Sequence, residues 1–158
     1  MSIEKNKADL YGDNRLWDHV EEFKNGTISM ELTEIEDAKA AELTGAEIDQ
    51  KGMVVYSPDD NPPYFAVGFR AQKSKGYFKL FWFYKVKFGI TNKDFQTKGE
   101  TLTFQTAKLE GVIAAGDLSD SRGKHPWKSE LDVTEENAAE DIVTGWFNAV
   151  VIPDFAAP

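Results

Sequence analysis

Lysines and aromatic residues interleave in the middle of this chain: Lys73, Lys75, Lys79, Lys85 and Lys87 alternate with Tyr77, Phe81 and Phe83. In an extended strand, every second residue shares a face, so residues 77, 79, 81, 83, 85 and 87 would lie together. Basic groups beside exposed rings are how RNA-recognition sheets stack bases and hold phosphates. Lys75-Gly76-Tyr77 begins like the strand motif of those modules, but Phe78 and Lys79 stand where a small residue and an aromatic are required. The net charge of −9 also opposes phosphate binding. The competing reading is a partly covered strand whose rings pack under a helix or loop. A sugar-binding surface would need exposed tryptophan or tyrosine platforms. Trp17, Trp82, Trp127 and Trp146 are scattered along the chain, and two of them fall on strongly apolar faces.

The remaining reactive side chains form no recognisable constellation. The two histidines, His19 and His125, have no ligand partner at metal-binding spacing. Cysteine is absent, which removes disulfides, thiolate chemistry and cysteine-based zinc sites. No nucleophile elbow, phosphate loop or dinucleotide-type glycine pattern occurs. Asp59-Asp60 lacks calcium-loop spacing and reads as a turn beside prolines. Glu135-Glu136 and Glu140-Asp141 read as solvated acids on a helix. The expectation is a protein that is not an enzyme, with no catalytic, cofactor-binding or metal-binding residues.

The elements around these residues are mostly strands. Residues 2–10 read as an edge strand ending at the turn Gly12-Asp13-Asn14. Residues 20–23 and 27–32 flank Asn25-Gly26, a strong hairpin signal because both turn positions favour positive φ. In 27–32, Ile28, Met30 and Leu32 share one face. A helix is expected over 33–44, with Thr33 and Glu36 as a capping box and Gly45 closing it. Residues 53–56 form a strand, and 57–63, with three prolines, a rigid turn. Alternation predicts strands over 65–71 and 77–88, the latter with Phe78, Leu80, Trp82, Tyr84, Val86 and Phe88 on one face. Residues 102–113 form another strand whose apolar phase shifts near 106–108, as a bulge would require. A polar loop covers 118–127. A second helix is expected over 135–149, capped by Thr134, with Ala138, Ala139, Ile142, Val143, Trp146 and Phe147 as its apolar stripe.

The 158 residues suit one domain, 1–158, and the 41% hydrophobic content is enough for a packed core. The start of the chain is polar and no apolar run approaches bilayer length, so folding in a cytoplasm is expected. Residues 1–60 carry 15 acids against 6 bases, 61–128 carry 5 against 12, and 129–158 carry 7 against none. Solvated surface charge accounts for this pattern without a partner. A basic face of one copy meeting an acidic face of the next accounts for it equally. The apolar tail residues Val151, Ile152 and Phe155 are expected to dock on the same chain or a neighbour, and are the candidate subunit interface.

Five segments carry a family resemblance. They are Leu10-Tyr11-Gly12-Asp13-Asn14, the run from Pro63 to Ala71, Trp82 to Phe88, Phe95 to Thr106, and Trp146-Phe147-Asn148-Ala149-Val150. In this order they are spread over most of the chain, which resembles the major tail protein family of long-tailed phages of Gram-positive bacteria. The resemblance implies an α+β, mainly β fold: a two-sheet β-sandwich of the tail-tube type with one or two flanking helices. It implies hexameric rings whose inner sheets close into a barrel and stack into a tube, through which DNA passes without specific binding. The implied partners are copies of the chain, a tape measure protein and a tail terminator, assembled in the host cytoplasm and resident in the virion tail. Members of that family usually carry a few dozen residues before the stretch matching 2–14. The chain is therefore expected to be a short member or to lack an N-terminal strand segment. A carbohydrate-binding or nucleic-acid-binding β-sandwich is the alternative.

Overall fold

A computed structural model describes residues 1–12, 15–32, 35–89 and 107–155, with the backbone alone for residues 8–12, 15–20, 75 and 107. The fold is mainly β, with an antiparallel sheet and a second, small one. The strands are β1 (Ser2–Gly12), β2 (Arg15–Leu32), β3 (Glu47–Ile48), β4 (Val54–Val55), β5 (Tyr64–Gln72), β6 (Phe78–Phe88), β7 (Ala107–Ile113) and β8 (Lys128–Asp132). Helix α1 (Asp37–Thr44) and the single turn α2 (Asp141–Thr144) complete the described elements. The larger sheet has the order β1-β2-β7-β6-β5, with β8 also paired to β6, while β3 and β4 form the smaller one. The chain divides into two compact units, Met1–Tyr64 with Lys87–Ile113, and Phe65–Val86 with Ala114–Pro158.

In the first unit, β1 pairs along its length with β2, and β2 pairs onward with β7. Gly26 opposes Ile113, Ile28 opposes Gly111 and Met30 opposes Leu109. Ile28, Leu109 and Ile113 are buried, whereas Thr27, Ser29 and Glu31 on the opposite face are exposed. The facing read from alternation is therefore observed. The hairpin at Asn25-Gly26 is not: β2 runs straight through it. Glu4 opposes Asn25 while Lys5 opposes Phe23, so the register slips by one residue beside this dipeptide. Gly26 is buried, has no positive φ, and a Cβ on it would lie 3.1 Å from the Ser2 carbonyl oxygen. The glycine permits close strand approach at a bulge, its other common use in a sheet.

Helix α1 begins at Asp37, not at residue 33, and its N-cap Glu36 makes no side-chain capping bond. Thr33, the other half of the proposed capping box, lies outside the described residues. The C-terminal end is as expected: Gly45 has φ 74° and its N–H bonds the Ala41 carbonyl. The 57–63 turn is closed by Asp60, whose carboxylate accepts the Ser57 N–H at 2.8 Å. The strand read over 102–113 is described only for 107–113, which pair with β2 in unbroken register; the remainder of the proposed bulge near 106–108 lies outside the described residues.

In the second unit the apolar face of β6 meets the C-terminal segment. Leu80, Trp82, Tyr84, Val133 and Trp146 form the core, with Ala66, Phe78, Leu131, Val143 and Val151 packed on it. Gly68 lets the Trp82 indole lie flat on β5, since a Cβ there would sit 2.8 Å from two ring carbons. The expected helix over 135–149 reduces to α2 flanked by turns. Asn137 gives the reason. Its side chain accepts the Thr134 N–H and donates to the Asp132 carbonyl, closing a turn that competes with helical bonding. Val143 and Trp146, three residues apart, still turn inward, while Ile142 and Phe147 remain exposed.

Candidate functional site: the lysine–aromatic face, the sheet edges and the C-terminal tail

The odd-numbered side chains of β6 form the face that the lysine and aromatic pattern indicated. Phe69 of β5 stacks on Phe81 with ring centroids 4.8 Å apart and on Phe83 at 5.8 Å, and Phe83 stacks on Trp127 at 6.3 Å. Phe83 is buried, whereas Phe69, Phe81 and Trp127 are half-buried. Strand β8, unread in the sequence, supplies the counter-charges. Lys79 donates to Glu130 at 2.7 Å, Lys128 approaches Glu130 at 2.6 Å, and Lys73 donates to Asp132 at 2.6 Å. Lys85 donates to Asp117 at 2.7 Å. The two ammonium groups on Glu130 sit over the Phe81 ring, 5.7 and 5.4 Å from its centroid. Hydrogen bonds from Lys128 first, and then from Lys79, hold the Glu130 carboxyl below the usual carboxylate range. The bond to Glu130 raises the Lys79 ammonium pKa. These pairs lie at the surface, where solvent screening leaves each worth little, so they offset the positive charge of the face without locking it.

The even face of the same strand is closed by the tail. The Tyr84 hydroxyl donates to the Val151 carbonyl at 2.7 Å and accepts from the Ser129 hydroxyl at 2.7 Å. Burial pushes the Tyr84 phenol up, partly offset by the Ser129 bond. The Trp82 indole donates to the Trp146 carbonyl at 3.3 Å. Of the three tail residues singled out by sequence, Val151 is half-buried against this core, while Ile152 and Phe155 are each 42% exposed.

Phe155 is held by the 118–125 loop. Its N–H donates to the Ser121 hydroxyl at 2.7 Å, and that hydroxyl donates to the Phe155 carbonyl at 3.3 Å. The Arg122 guanidinium lies 3.5 Å from the Phe155 ring centroid. Asp120, buried within the loop, holds Arg122: one carboxylate oxygen accepts Nη2 at 2.7 Å and Nε at 3.1 Å. The other oxygen accepts the backbone N–H groups of Arg122 and Lys124 at 2.9 and 3.0 Å. The Arg122 side chain, followed by these backbone bonds, keeps the Asp120 carboxyl below the usual range.

Among the described side chains, which do not include that of Trp17, no tryptophan platform is assembled. Trp82 and Trp146 are core residues, and Trp127 lies against Phe83. His125 sits in the exposed loop with its Nδ1 3.4 Å from the Ser119 hydroxyl. Among the described residues, no three His, Asp or Glu side chains gather to hold a metal, and no helix is long and apolar enough to cross a membrane. In the first unit, a shallow cleft of about 560 Å³ lies over the outward face of β2 and β7, lined by Met1, Ser2, Thr27, Ser29, Glu110 and Val112 among others. The chain matches no family model, no curated protein and no solved structure.

Proposed function

We propose that the chain is a structural protein of a phage tail tube, self-assembling head to tail into rings, six copies to a ring, that stack around passing DNA. The observation that carries this reading is the pair of terminal strands in the sheet. β1, 11 residues long, and β5, 9 residues long, stand at opposite ends of the strand order. Each has a single strand neighbour in that order, and a terminal strand is a ready template for pairing with another chain. Pairing β1 of one copy with β5 of the next is a heterologous contact, and such contacts close into rings when the rotation permits. Cross-strand ion pairs such as Lys5–Glu21 and Lys24–Glu4 mark the β1 edge with charge, a common guard against irregular aggregation.

On this reading the sheet packs as one layer of a tail-tube sandwich, the acidic balance lets DNA slide without adhering, and a tape measure and a tail terminator meet the assembled tube in the virion. Negative-stain electron microscopy of concentrated protein tests the proposal. Rings or tubes are expected. Discrete monomers at every concentration, together with saturable binding to a glycan array or to single-stranded RNA at moderate salt, would overturn it in favour of a binding module.

A further inference from the structure

The loop around Asp120 has the construction of a receptor. Asp120 is 5% exposed and accepts four hydrogen bonds, which fix the Arg122 side chain and the loop backbone together. The loop closes on itself through Asp120 N–H to Lys124 O at 2.8 Å and Gly123 N–H to Asp120 O at 2.9 Å, with Gly123 at φ 75°. Two groups then face outward. The Ser121 hydroxyl offers one acceptor and one donor, matched to the N–H and C=O of a single residue in a passing chain. The Arg122 guanidinium offers a flat cation matched to an aromatic ring. Together they read an aromatic residue within a peptide segment, by backbone and by side chain.

We infer that this loop is a docking site for the C-terminal tail of a second copy, filled here by the chain's own Phe155. The choice of a second copy rests on the self-assembly reading; the site itself does not. Three observations support exchange. The contacts depend only on local groups of loop and tail, so a neighbour's tail makes the same ones, as in domain swapping. The tail is only half sequestered, with Ile152 and Phe155 each 42% exposed. It is anchored just before them, at Val151, whose carbonyl is held by Tyr84. The four residues that follow Val151, ending at Phe155, reach at most about 14 Å when extended, so the receiving loop of the neighbour must lie within that distance of the anchor.

Two complementary variants test this, at a concentration where the wild type is monomeric. One carries Ser121→Ala and Arg122→Ala, leaving a tail with no site. The other lacks residues 152–158, leaving a site with no tail and Val151 in place. Each alone should sediment as a monomer with wild-type circular dichroism, and their mixture should form a one-to-one complex that a synthetic peptide of residues 150–158 dissolves. Phe155→Ala in place of the deletion gives the same result if truncation impairs folding. A mixture that stays monomeric, or self-association of the Ser121/Arg122 variant alone, overturns the inference. Rings from the wild type and from both variants overturn it while sparing the tail-tube reading. A complex from the mixture with no wild-type rings at any concentration supports it and sinks that reading.

Discussion

Replacing Gly68 with alanine should test how β5 is held. The new Cβ would lie 2.8 Å from Cη2 and Cζ3 of Trp82 and 2.9 Å from Cζ2, inside the range any real contact permits. The obstacle is the flat side of an indole that is itself buried, packed on Trp146 and Val143 rather than free to swing. Either β5 withdraws or Trp82 tilts. Overpacking of this kind costs about 1–3 kcal/mol. A tilt would also weaken the 3.3 Å bond from the Trp82 indole to the Trp146 carbonyl, worth about 1 kcal/mol. The sum is roughly 2–4 kcal/mol, or a fall in melting temperature of about 4–16 °C for a chain of this size. Thermal and urea unfolding, followed by tryptophan fluorescence, measures it. Gly89→Ala is the control, because no described residue lies within 4 Å of a Cβ there. Since β5 is also a proposed pairing edge, Gly68→Ala should impair ring formation more than Gly89→Ala does. A Gly68→Ala protein as stable as the control would refute the packing argument.

Tyr84→Phe removes the hydroxyl that holds both Val151 and Ser129, and should cost about 1–2 kcal/mol in urea unfolding. The same phenol has a raised pKa through burial, so its contribution is present below about pH 10 and is lost as pH rises through the folded value, which absorbance titration checks. The Asp120 carboxyl is shifted the other way by Arg122. Its contribution is present above the ordinary aspartate value of about 3.9 and is lost only as pH falls through the lower folded value, so chemical shifts of Ser121 and Phe155 should be unchanged at pH 5. Asp120→Asn, which keeps the shape but removes the charge, should loosen Arg122 and raise exchange of the Phe155 amide. Ile152→Ser with Phe155→Ser should abolish ring formation in sedimentation velocity, whereas added salt should only slow it, because exposed ion pairs contribute about 0–1 kcal/mol each and are screened.

The strands were legible wherever one face is buried and the other wet, because period-two alternation reports that difference directly. Ile28 and the inward residues Leu109 and Ile113 follow it, whereas β6 buries its even face and, at Phe83, part of its odd face as well. Gly45 was legible as a helix end for a local reason, its left-handed φ. What the sequence alone misread depends on partners distant along the chain. Asn25-Gly26 has a turn's local chemistry, but pairing with both β1 and β7 draws it into a continuous strand. The apolar stripe over 138–147 has helical spacing, but Asn137 captures the backbone and Trp146 is buried against Trp82, so one turn of helix remains. β8 is short and half charged, and only its ladder with β6 makes it a strand. The lysine–aromatic face was visible as a list of residues. Its ion pairing was decided by Glu130 and Asp132, about fifty to sixty positions away. The loop that grips Phe155 left no sequence pattern, since its specificity comes from one buried carboxylate that orients an arginine, a relation set by folding rather than by spacing.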